Sequence, residues 1–184
     1  LMRKTNQKIQ RIFHYQHLPK ISERESEIVN ALRTEGVYIS SINDLISIGI
    51  PFSQELFDSL KSITSQIKNK SCEMENDYIV FASEDLIMEH SEILKWGLNE
   101  KILAIVENYV GLPAAYKGVM IRKDIANGYQ VKTRYWHKDS EDTRITKIII
   151  YLEDVGENDG PFCYVPHNVL KKYDFTATCF FVSN

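Results

Sequence analysis

The chain has 184 residues and a mass of 21.4 kDa, the size of one domain. Hydrophobic residues make up 43% and charged residues 26%, enough apolar material to bury a core, which excludes disorder and low complexity as overall descriptions. Lys and Arg number 22 against 25 Asp and Glu, so no basic excess exists to follow a phosphate backbone, and a dedicated nucleic-acid-binding role is not expected.

Residues 1–16 are polar and basic, an arm or a first helix. Ser22 and Glu25 have the spacing of a capping box and start a helix that runs to about Arg33, where Gly36 stops it. Residues 37–41 read as a short strand. Pro51 and Ser53 open another helix, with Leu56, Leu60, Ile63 and Ile67 at helical spacing. A polar loop covers 69–77, and the apolar run 78–81 reads as a strand. Helices follow over about 84–96 and 100–110, the second closed by Gly111 and Pro113.

Beyond Pro113 the pattern becomes that of strands: 116–125, 131–139, 147–155, 162–165 and 178–182, with turns at Ala126-Asn127-Gly128 and at Glu157-Asn158-Asp159-Gly160. Helices first and strands afterwards indicate an α+β fold with helices packed on an antiparallel β structure. The expected organisation is a single domain over 1–184, mainly helical to 112 and a β core from 113. No apolar stretch is long enough to span a membrane. Cys72, Cys163 and Cys179 are widely spaced and odd in number, which fits reduced thiols in a cytoplasmic protein better than disulfides or a zinc site.

The element most suggestive of chemistry is Trp136-His137-Lys138-Asp139. On a strand, His137 and Asp139 would share one face, and an imidazole beside a carboxylate can begin the two-His, one-carboxylate site of non-haem Fe(II) oxygenases. Taken alone, the pair reads as a surface ion pair of about 0–1 kcal/mol, since a metal site needs more than two convergent ligands. Around it lie Lys147-Ile148-Ile149-Ile150-Tyr151-Leu152-Glu153-Asp154-Val155, then Asn158-Asp159-Gly160-Pro161-Phe162, then Tyr164-Val165-Pro166.

This ordered series, over about 116–168, resembles the phytanoyl-CoA dioxygenase family. The resemblance implies a double-stranded β-helix (a jelly-roll, cupin-like core) with N-terminal helices packed on it. It also implies Fe(II) as cofactor, 2-oxoglutarate as co-substrate and molecular oxygen as reactant. His137 and Asp139 are then the catalytic metal ligands, and Met120 and Tyr151 fall where relatives line the 2-oxoglutarate pocket. The carboxylate at position 139 favours hydroxylation over halogenation. The implied reaction hydroxylates a small-molecule or lipid-like substrate with release of succinate and CO2. A non-catalytic β-helix that binds a ligand or partner through the same cavity is the alternative.

The family pattern also calls for a distal His and, beyond it, an Arg for the far carboxylate of 2-oxoglutarate. The only later His is His167, in a turn where the family His is not a ligand, and no Arg follows Arg144. About five strands are countable where a β-helix takes about eight, the stretch 168–176 is short, and the chain opens Leu1-Met2. These features lead us to expect that part of the β core lies outside the chain as given. Lys123 and Lys147 could approach an anionic ligand or simply be solvated, and Lys138, Arg134 and Arg144 read as exposed charges flanking the site.

Overall fold

In the computed structural model, residues 2–67, 78–126, 128–137, 144–170 and 180–183 are described. Among them the chain is mixed helix and sheet, an α+β arrangement dominated by helices. Helix α1 spans Met2–His14 and passes into a 3-10 turn, Tyr15–His17. Helix α2 spans Glu23–Thr34. Its Ser22 cap accepts from the Glu25 N–H while the Glu25 carboxylate takes the Ser22 N–H, so the predicted capping box is complete. Strand β1, Ile39–Ser41, runs directly into a helix the sequence did not announce, α3, Ile42–Ser47, which a second capping box, Ser41 with Asp44, starts.

Helix α4, Gln54–Gln66, is capped by Ser53 and buries Leu56, Leu60 and Ile63 as their spacing predicts. Strand β2 is Ile79–Phe81. The single helix expected over 84–96 is two, α5 (Glu84–Met88) and α6 (Ser91–Gly97). The break falls at His90, whose backbone leaves the helical basin (φ −115°, ψ 76°) before Ser91 starts again. Helix α7, Glu100–Val110, matches its expected bounds, with Asn99 as N-cap and Gly111 in the left-handed conformation (φ 76°) just past its end.

The β part departs further from expectation. Strand β3 is only Arg122–Asp124 and pairs antiparallel with β2, Val80 opposite Lys123. Strand β4 is Ile148–Ile150 and β5 is Phe180–Ser183. Strand β5 lies between β1 and β4 and is parallel to both, with Ile39 opposite Phe181 and Ile149 also opposite Phe181. The three-stranded sheet is therefore parallel, where an antiparallel structure was expected. Strand order along the chain could not reveal this, because β1 belongs to the helical half and joins through a distant partner.

Two expected strands do not form ladders. Residues 131–137 contain a 3-10 turn, Lys132–Arg134, entered through Lys132 at φ 45°. The Arg134 guanidinium takes the carbonyls of Tyr129 and Ile125 at 2.6 Å each, so those acceptors are used within the loop. Residues 162–165 lie in no sheet among the described residues. The Phe162 N–H donates to the Tyr151 hydroxyl at 2.8 Å, a side chain taking the place of a neighbouring strand. The expected loop over 69–77 and residues 178–179 lie outside the described residues, as do Cys72 and Cys179. A short helix, α8 (His167–Leu170), follows Pro166.

Two apolar clusters hold the chain together. The first packs α2 on α7 through Ile28, Val29, Leu32, Ile102, Ile105 and Tyr109, with Leu45 and Ile50 and the underside of β4. The second joins α4 and α6 through Leu56, Leu60, Ile63, Ile67 and Ile93, and reaches Ile121 just before β3. Trp96 packs against both, its ring edge-on to Phe52 with centroids 5.9 Å apart.

Candidate functional site

His137 lies on an exposed segment directly after the 3-10 turn. Its Nδ1 is 2.7 Å from the Tyr135 carbonyl oxygen. A carbonyl only accepts, so Nδ1 is the donor in this contact. A backbone carbonyl holding the other ring nitrogen is the usual support of a metal-ligating histidine. Asp139, the proposed partner, lies outside the described residues, as does Lys138. The argument that both share a strand face does not carry over, because 131–137 is turn and coil.

Both flanks of the 138–143 segment are anchored, and by arginines expected to be solvated. On the near side Arg134 holds the Tyr129 and Ile125 carbonyls and stands 5.4 Å from the Tyr78 ring centroid. On the far side Arg144 reaches the end of α7. It donates to the Tyr109 carbonyl at 2.8 Å and the Val110 carbonyl at 3.3 Å, with its guanidinium 5.5 Å from the Tyr109 ring centroid. The remaining carbonyls of that helix end are also taken, Asn108 by Arg33 at 2.6 Å and Glu107 by the Gly111 N–H at 2.7 Å. A helix C-terminus gathers unpaired carbonyls and partial negative charge, which is why cations collect there.

Met120 stands 73% exposed, two residues before β3. Tyr151 follows β4 and is half-buried, its hydroxyl accepting from the N–H of Phe162 at the end of the Asn158–Phe162 turn. That turn closes as predicted, with Gly160 at φ 71°. His167 opens α8, and its backbone N–H donates to the Glu35 carbonyl at 3.0 Å, pinning the Val165-Pro166 element to the end of α2. Lys123 is exposed in β3 and Lys147 half-buried just before β4. Cys163 is an exposed free thiol. Among the described residues, no group of three or more His, Cys, Asp or Glu side chains converges where a metal ion would sit. Likewise, none of the described helices is long and apolar enough to cross a membrane.

Two concavities lie away from His137 in the sequence of their linings. A small apolar cavity of about 10 Å³, room for a single water, is bounded by Leu32, Leu45, Ile50, Trp96, Thr146 and Ile148 among others. The indole Nε1 of Trp96 and the hydroxyl of Thr146 are buried without a hydrogen-bond partner. An open cleft of about 340 Å³ lies between the starts of α3 and α4, lined by Ser41, Asn43, Phe52, Ser53, Gln54 and Phe57. Its two serine hydroxyls already serve as helix caps. Neither concavity is lined by a predicted site residue. Comparison with protein-family models, curated proteins and solved structures finds no match.

Proposed function

We propose that this chain is an Fe(II)- and 2-oxoglutarate-dependent dioxygenase on a double-stranded β-helix, hydroxylating a small-molecule or lipid-like substrate in the reducing cytoplasm. The observation that carries the reading is the ordered series from Trp136-His137-Lys138-Asp139 through the β4 strand and the Asn158–Phe162 turn to Val165-Pro166. It is supported by His137, which is exposed and whose Nδ1 donates to a backbone carbonyl, the contact that commonly orients a metal-ligating histidine. His137 and Asp139 would hold the iron. Iron with 2-oxoglutarate and oxygen supplies the oxidative decarboxylation to succinate and the hydroxylation of a C–H bond.

The chain's own contribution is positional. Arg134 ties the described residues before position 138 to the Tyr129 and Ile125 carbonyls, and Arg144 ties those after position 143 to the end of α7. The Tyr151 hydroxyl accepts from the Phe162 N–H, and the reading places it and Met120 beside 2-oxoglutarate.

Anaerobic addition of Fe(II) and then 2-oxoglutarate to the purified protein is expected to give a weak visible charge-transfer band. Asp139→Ala should remove the band and abolish succinate release. A folded protein that gives no band would leave the non-catalytic β-helix as the better reading, and unchanged turnover in Asp139→Ala would overturn the ligand assignment.

A further inference from the structure

The loop ahead of His137 holds a lysine in a backbone conformation that lysine rarely takes. Lys132 has φ 45°, in the left-handed region, and among the described residues no other non-glycine residue has a positive φ. Glycine sits there freely, whereas a residue with a Cβ is crowded against the following carbonyl. The turn that Lys132 opens is closed by backbone groups. The Arg134 N–H donates to the Val131 carbonyl at 2.9 Å and the Tyr135 N–H to the Lys132 carbonyl at 3.1 Å. Those bonds need no lysine side chain. A crowded conformation that the fold itself does not require points to what the side chain does.

The side chain brings a second cation to a ring that already has one. The Lys132 ammonium stands 5.8 Å from the Tyr78 ring centroid, and the Arg134 guanidinium stands 5.4 Å from the same centroid. The cluster is braced through the backbone. Tyr78 accepts from the Ile125 N–H at 2.9 Å, and Arg134 holds the Ile125 and Tyr129 carbonyls at 2.6 Å each. A ring attracts each cation weakly, and the two like charges repel. Carboxylates do not balance them. Residues 125–137 contain no Asp or Glu, and Asp124 is paired with Arg122 at 3.1 Å. Among the described residues no ion pair involves Lys132, which is exposed. Arg134 spends two of its N–H groups on backbone, so the direct contact with a ligand falls to Lys132. Its ammonium is a point charge with three rotatable donors, which suits a carboxylate or a phosphate, while Arg134 adds its field.

We propose that Lys132, Arg134 and Tyr78 form an anion-binding site for the carboxylate or phosphate group of a small molecule, with the left-handed turn setting the Lys132 ammonium in place. The site needs no metal, so it stands or falls separately from the oxygenase reading. The test is a nuclear magnetic resonance titration of the isotope-labelled full chain, free of metal and at constant pH. Sodium phosphate and sodium acetate are added separately, with ionic strength held at about 0.15 M by sodium chloride. The expected result is a saturable shift of the amides of residues 131–135 and of the Tyr78 ring, with a midpoint on the order of millimolar for the better anion. Whichever anion binds more tightly identifies the group the site takes. In Lys132→Gly the midpoint should rise about tenfold or more, because the one free ammonium is gone. Its Tm should equal or exceed that of the parent, because glycine adopts φ 45° without crowding. The proposal is overturned if neither anion gives a saturable shift at these residues, or if Lys132→Gly binds as well as the parent. It is equally overturned if Lys132→Gly melts below the parent, since the lysine is then held for the fold.

Discussion

Glu25 shows how much one side chain can be asked to do. It is only 4% exposed, yet its carboxylate accepts from the Ser22 N–H at 2.6 Å and from the Lys101 ammonium at 3.2 Å, so it caps α2 and ties that helix to α7. Burial pushes its pKa up, but the Ser22 hydrogen bonds and Lys101 outweigh burial and hold the carboxyl below the ordinary carboxylate value. The folded-state pKa is therefore depressed. The stability it contributes is complete above about pH 4.5, the ordinary value, and is lost as pH falls through the folded pKa. Glu25→Gln is expected to cost about 1–2 kcal/mol near pH 7, a capping interaction plus part of a half-exposed ion pair. In urea titrations the gap between parent and variant should hold steady from pH 7 to about pH 5 and narrow below that. A gap independent of pH would remove the charge from the explanation.

At the scale of elements, the end of α7 is a meeting point. Arg33, Arg144 and the Gly111 N–H take its last four carbonyls, while Arg11 covers Gly111. Arg144→Ala should cost about 1 kcal/mol, seen as a fall in Tm of about 2–4 °C, and Arg144→Lys should recover only part because an ammonium lacks the flat guanidinium that stands 5.5 Å from the Tyr109 ring centroid. Under the oxygenase reading, Arg144→Ala also weakens Fe(II) binding, because the chain just after the proposed Asp139 ligand loses its tie to α7. Helix ends of this kind were partly legible in advance. Ser22 with Glu25, Ser53 and Gly111 announce α2, α4 and α7 through local chemistry that needs no tertiary partner. The break at His90 was hidden because the apolar spacing of Leu86, Ile87, Ile93 and Leu94 continues across it. The strands were legible as apolar runs but not in length or pairing, because a three-residue strand such as β3 or β4 is defined by its partner. The site suffered from the same limit. His137 and Asp139 stand out as residue types, but their supposed common face rested on a strand period that Arg134 replaces with a turn.

For the whole molecule, Trp96 joins the two apolar clusters, with Phe52 against its ring and the small cavity at its edge. A side chain shared by both clusters couples their unfolding. The chain has two tryptophans, and the other, Trp136, is 70% exposed. In a Trp136→Phe protein the remaining emission therefore reports on this junction. That emission is expected to be blue-shifted in the native state, and its denaturant midpoint should coincide with the midpoint from helical circular dichroism. Two separated midpoints would mean that the clusters unfold independently.

The β1–β5 pairing has a consequence for how the protein is made. Ile39 and Phe181 are partners, yet they lie about 140 residues apart in the chain. At a synthesis rate of about 5–20 residues per second, the ribosome needs on the order of ten seconds to deliver β5 after β1 has emerged. Helices α2 and α7, whose fully buried shared residues end at Tyr109, can pack well before then. β1 and β4 can join the parallel sheet only when the strand between them arrives, so this sheet closes late on a helical half already folded during translation.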